Sequence, residues 1–291
     1  MDEIDVLCKI RDFNSLRNAL SVEGFVRGVI AIARGNPYNI ELQEFKSGAI
    51  LFRARIIDGK QTRFENQDFW EPHPKYVVAG RANKKAQPKL YCSIGDPITA
   101  LAEIKAKAGD RYLLTIYQSV DDIFLSGMSF QYNDAASTFL SQAVSIKGKS
   151  GHAIAEQIIA SLFNVAPDGA AFPSTAYDKG RCVCLNLTAK NKLNVIYSIE
   201  CIFNEKIEQP NIRSIFIFDE AGDITTVQSE DQNFDEAIKL MWLDVQGRIK
   251  AYENKFPLGV VETGGSLSSF VFSNSIALRQ PISPEWKGVQ L

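Results

Sequence analysis

Histidine is nearly absent from this 291-residue chain: His73 stands between two prolines and His152 at the start of a helical pattern. Two isolated imidazoles supply no cluster with metal-ligand spacing, so no metal site is expected, and histidine-based nucleophilic catalysis has few candidates. Cysteine numbers five, an odd count that fits no disulfide framework, and Cys182 and Cys184 have neither the spacing of a zinc knuckle nor that of a redox pair. Charge of one sign is missing too. With 32 basic and 34 acidic residues the net charge is -2, which gives no support to general nucleic-acid binding, a task that calls for a basic surface. No apolar run approaches the roughly 18 residues of a membrane span. The opening MDEIDVLCKIRD is acidic at its start and lacks the basic-then-apolar order of a secretory signal. These absences lead us to expect a cytoplasmic protein that binds neither nucleic acid nor membrane directly.

A nucleotide-binding P-loop is missing as well. Gly-Lys-Ser-Gly at 148–151 has Ala143 where the Walker pattern needs its first glycine, and it joins two helical patterns rather than a strand to a helix. It reads as a solvated turn.

What is present is a folded chain, 45% hydrophobic with 18 phenylalanines, long enough for one decorated domain or two modest ones. Ile4, Leu7, Ile10, Phe13, Leu16 and Leu20 recur at steps of three or four, and Phe25 to Ala33 repeats the pattern before a Gly35-Asn36-Pro37 turn. The spacing predicts a helical front section over residues 1–48. Ala49 to Ile57 is the first strand, with Arg53 and Arg55 on one side of it, and 58–78 is a long loop of the kind that forms binding lids. Further strands are expected at 111–118, 122–125, 170–173, 182–187, 193–203, 213–218, 224–227 and 267–272, the last after a Gly264-Gly265-Ser266 turn. Helices are expected at 133–144, 152–163 and 234–252. The irregular alternation predicts an α+β fold on a mixed or antiparallel sheet, with a core at 49–190 and a C-terminal α/β section at 191–291 packed on it.

The stretch 80–103, GRANKKAQPKLYCSIGDPITALAE, organises the rest. A short strand ends near Cys92; Asp96 and Pro97 then open a helix as cap and first residue, and Gly109 closes it. Ile98, Leu101, Ile104 and Ala108 form its predicted buried stripe, with Glu103 beside them.

Four motifs stand in order: FRAR at 52–55, GRAN with PKLY ending at Tyr91, TALAE ending at Glu103, and DGAAFPS ending at Ser174. Together they resemble the RES domain family over roughly the middle half of the chain, Ala49 to about Thr188. The resemblance implies a fold similar to the ADP-ribosyltransferase toxins and a bacterial toxin, paired with a protein antitoxin, that degrades NAD by hydrolysis or phosphorolysis. It matches Arg53, with Arg55 as its competitor, to the first arginine, and Arg81, Tyr91, Glu103 and Ser174 to the later motif positions. Where the family often has tryptophan and glycine, this chain has Ala82 and Ala86. On the resemblance, Arg53 and Glu103 are catalytic and Arg81, Tyr91 and Ser174 bind NAD. NAD is then substrate rather than cofactor, with inorganic phosphate as a candidate co-substrate. Alternatives are a mono-ADP-ribosyltransferase and a non-catalytic NAD-binding module. Taken singly, Arg81 reads equally as a loop ion pair, Tyr91 as a core aromatic with a bonded hydroxyl, and Ser174 as a turn residue.

Overall fold

The computed structural model describes residues 21–34, 40–80, 82–128, 140, 142–144, 146, 148–162, 166–174, 176, 177, 180–203 and 211–256. The expected first helix at 2–20, the turn at 35–37, most of the helix at 133–144, the turn and strand at 264–272, and Arg81 lie outside them.

The first described element is a helix, α1 (Val22–Arg34), whose Phe25, Val26 and Val29 are buried at helical spacing. It is followed by β1 (Ile40–Phe45), β2 (Ile50–Ile56), β3 (Leu90–Ile94), α2 (Pro97–Ile104), β4 (Arg111–Ser119) and β5 (Ile123–Met128). Next come α3 (Gly148–Leu162), β6 (Gly169–Pro173), β7 (Arg181–Leu185), β8 (Leu193–Ile202), β9 (Asn211–Phe218), β10 (Ile224–Gln228) and α4 (Phe234–Lys255). Ten strands make one sheet in the order β1-β5-β6-β7-β3-β2-β4-β8-β9-β10. Every neighbouring pair is antiparallel except β5 and β6, so the molecule is α+β on a mixed, mostly antiparallel sheet.

Two faces of this sheet are filled differently. On one, α1 and α3 pack over Ala170, Phe172, Cys182 and Cys184. On the same side, Met241, Trp242, Val245 and Ile249 of α4 meet Phe52, Leu114, Ile116 and Ile199. The other face carries Leu51, Leu90, Cys92, Leu113 and Tyr117 against Phe69, which belongs to a 3₁₀ turn (Asn66–Phe69) in the long loop after β2. Tyr117 gives its hydroxyl to the carbonyl of Phe69, which ties the loop down. Each fully buried large apolar side chain of this kind contributes about 1.5–3 kcal/mol.

Several expectations are corrected. Residues 40–45 form an edge strand rather than part of a helical front section, because IELQEF pairs along its length with β5 and buries Gln43 and Phe45. Residues 148–151 are the first turn of α3, not a solvated turn; Gly151 is buried, and a methyl group there would collide with the carbonyl of Ile146. In α2 the buried residues are Pro97, Thr99 and Ala100, with Ile98, Leu101 and Ile104 only half-buried and Ala108 exposed beyond the helix. The helix also stops earlier than Gly109, at Lys105, which adopts a left-handed conformation (φ 50°). Strands β8 to β10 continue the same sheet outward from β4. No helix among the described residues is long and apolar enough to cross a membrane.

Candidate active site

The sheet parts at its centre. β2 pairs with β4 along seven residues but with β3 through only two pairs, Leu51 with Ile94 and Phe52 with Ser93. Where the two strands diverge, a cavity of about 380 Å³ is walled by Ala54 of β2, Tyr91 of β3, Glu103 of α2, His152 of α3 and Phe172 and Cys182 of β6 and β7.

Local sequence sets the helix that carries Glu103. Gly95 (φ 64°) turns the chain after β3, and the Asp96 carboxylate accepts from the amides of Ile98 (2.9 Å) and Thr99 (3.2 Å), with Pro97 at the first helical position. These groups satisfy amide donors that every helix start leaves bare. Small residues at Thr99 and Ala100 let α2 press on both β2 and β3, so it spans the gap in the ladder.

Glu103 meets Ser174 across 71 positions of sequence: the serine hydroxyl donates to Oε1 at 2.5 Å. Ser174 Oγ in turn accepts from the amides of Ala176 (3.1 Å) and Tyr177 (3.0 Å), so its one proton is committed to the carboxylate. The thiol of Cys182 also reaches Glu103 Oε1, at 3.5 Å. Both protein donors therefore fall on one oxygen. Among the described residues none reaches Oε2, and the side chain is solvent-exposed at the cavity wall.

Tyr91 uses its hydroxyl for structure. It accepts from the amide of Ala82 (2.9 Å) and donates to Asn83 Oδ1 (3.0 Å), while Asn83 Nδ2 bonds the carbonyls of Val78 (2.9 Å) and Lys84 (3.1 Å). Its ring borders the cavity, edge-on to Phe172 at 6.3 Å. Burial, with the Cys184 thiol beside it, holds the phenol neutral well above the ordinary tyrosine range. The hydroxyl thus anchors the glycine loop that shapes one rim.

That loop contains a strained residue. Ala86 has φ 62°, a left-handed conformation disfavoured by about 1–2 kcal/mol for residues with a Cβ. We expect Ala86→Gly to raise stability by about 0.5–1 kcal/mol, the relief of strain being offset in part by the greater freedom of an unfolded glycine. A melting temperature at or below that of the parent would show that the loop imposes no such strain.

Arg53 does not line the cavity. It follows Phe52, the last residue of β2 paired to β3, and strand alternation sends its side chain to the face opposite Ala54, toward Cys92 and Tyr117. It is 7% exposed and makes no hydrogen bond or ion pair with the described residues. Arg55 on the same face pairs with Asp68 at 3.3 Å, although its Nε is buried without an acceptor. Burial, and next the neighbouring Arg53, lower the pKa of Arg55.

The structure therefore brings Tyr91, Glu103 and Ser174 together and leaves Arg53 across the sheet. Cys182 and His152 complete the cavity wall. The spacing of Cys182 from Cys184 and the place of His152 at the start of a helical pattern are their only marks in the sequence. Among the described residues no cluster of histidine, cysteine or carboxylate side chains is arranged to hold a metal ion. No family model, curated protein or solved structure matches the chain.

Proposed function

We propose that the chain consumes NAD by cleaving the bond between nicotinamide and ribose, with water or phosphate as the acceptor. The observation that carries the reading is the meeting of Glu103 and Ser174, from two separate motifs, at a cavity wall where one carboxylate oxygen has no partner among the described residues. The order of the four motifs, which resembles the RES domain family, supplies the substrate class. A mostly antiparallel sheet that opens at its centre suits the related ADP-ribosyltransferase fold.

In this reading the C1′–N bond breaks with its electron pair going to nicotinamide, which leaves neutral, and positive charge develops on the ribose. Glu103 stabilises that charge and accepts from the ribose hydroxyls through Oε2, while Ser174 holds the carboxylate by Oε1. The acceptor oxygen then bonds to C1′ and its proton passes to solvent. The ring of Tyr91 flanks the nicotinamide. In this reading Arg81 holds the pyrophosphate, as a guanidinium suits phosphate oxygens, whereas Arg53, on the face of the sheet opposite the cavity, is left without a substrate contact. The cellular role that follows is a bacterial toxin that lowers NAD and is silenced by a protein antitoxin.

The test is incubation of purified, folded protein with NAD, with and without phosphate, and identification of the products. Nicotinamide with free ADP-ribose, or with ADP-ribose 1″-phosphate when phosphate is present, is the expected result. Full recovery of intact NAD after long incubation would overturn the proposal, and ADP-ribose retained on a macromolecule would make the protein a transferase instead.

A further inference from the structure

The two most exposed large apolar side chains among the described residues lie two positions apart in the chain: Tyr76 is 70% exposed and Val78 77%. Val78 lines the cavity. Between them Val77 is buried with extended backbone (φ -78°, ψ 115°).

This rim is built rather than loose. Pro74–Tyr76 forms a 3₁₀ turn in which His73 Nδ1 accepts from the amide of Lys75 at 3.3 Å and the amide of Val77 reaches the carbonyl of Pro74 at 3.1 Å. The carbonyl of Val78 is held by Asn83, the residue that Tyr91 anchors. Lys75 Nζ stands 4.7 Å from the centre of the Tyr76 ring. Exposed apolar surface beside a cavity, held in place by hydrogen bonds and flanked by a cation, is what a planar base on a phosphate chain requires.

Size points to the occupant. A volume of about 380 Å³ is near the lower end of the roughly 300–1,000 Å³ that small-molecule sites span, and suits half of a dinucleotide rather than the whole. We propose that Tyr76 and Val78 form a stacking shelf for the adenine of a dinucleotide whose nicotinamide end fills the cavity, with Lys75 beside it facing the phosphates. The shelf rests on the reading of the cavity as an NAD site and adds a determinant of substrate choice outside it.

Nicotinamide mononucleotide carries the same cleavable bond without the adenine, so comparing it with NAD isolates the shelf. Tyr76→Ala is expected to raise KM for NAD by roughly five- to a hundredfold, the range of base stacking on an aromatic side chain, and to leave the kinetics with the mononucleotide within twofold of the parent. Tyr76→Phe, which keeps the ring, should behave as the parent with both. Tyr76 is exposed, so both variants should retain the parent melting temperature. An unchanged KM for NAD, or equal losses with the two substrates, would overturn the shelf and leave the cavity reading standing. Absence of cleavage of either substrate by the parent protein would overturn the cavity reading, and the shelf with it.

Discussion

Glu103→Gln is expected to keep the parent melting temperature and to slow NAD turnover by roughly tenfold to over a hundredfold. Glutamine preserves the shape of the side chain and an oxygen for the Ser174 hydroxyl, so the 2.5 Å contact has a replacement. The negative charge is what disappears. A hydrogen bond to a charged group is worth about 1.5–3 kcal/mol, and losing it only as positive charge builds on the ribose gives that range of rates. Folding should not respond, because the side chain is exposed at the cavity wall and carries no ion pair with the described residues. Steady-state kinetics, NAD affinity and thermal melting of the two proteins decide the matter: turnover within twofold of the parent would remove the carboxylate from the chemistry.

Gly80→Ala should damage the site as severely by a different route. A methyl group at position 80 would press into Asn83 Oδ1, far inside van der Waals contact, with the Tyr91 hydroxyl 3.4 Å away. Asn83 has little freedom to yield. It is buried, it accepts from Tyr91 and donates to two carbonyls, and Gly80 itself donates its amide to the Asn83 carbonyl at 3.0 Å. Losing two or three of these bonds at about 1 kcal/mol each would weaken the loop by about 2–3 kcal/mol. We expect NAD affinity to fall roughly thirty- to over a hundredfold, with protease sensitivity rising between Val78 and Lys89. Parent-like KM and proteolysis in Gly80→Ala would mean that the loop absorbs a methyl group and is not built on this close approach.

Some of this geometry is legible in the sequence and some is not, for physical reasons. Asp96 followed by Pro97 specifies a helix start by local bonding alone, and both cap bonds form. The alternation that puts Arg53 and Arg55 on one side of a strand is equally local. Which side faces the cavity is not, since it depends on Phe52 and Ala54 turning toward α2. The buried side of α2 departs from its apolar period because Gly180 comes so near Thr99 that a Cβ there would overlap the threonine hydroxyl. β1 escapes notice because a six-residue run containing three polar side chains becomes a strand only by pairing with β5. The contact of Glu103 with Ser174 spans 71 residues, and no periodicity reports a separation of that kind. For Tyr91 the hydroxyl is bonded as a core aromatic's would be, and the ring also borders the cavity.

The brief ladder between β2 and β3 also settles where this sheet is mechanically compliant. Drawing β2 away from β4 would rupture a ladder of seven residue pairs, whereas drawing it away from β3 ruptures two. Strain applied across the ten strands therefore concentrates along a single line, with five strands on either side of it, the Phe69 turn against one face and a two-turn helix, α2, as a splint on the other. Because Glu103 rides on that helix, the stiffness of α2 and the aim of the carboxylate are one property.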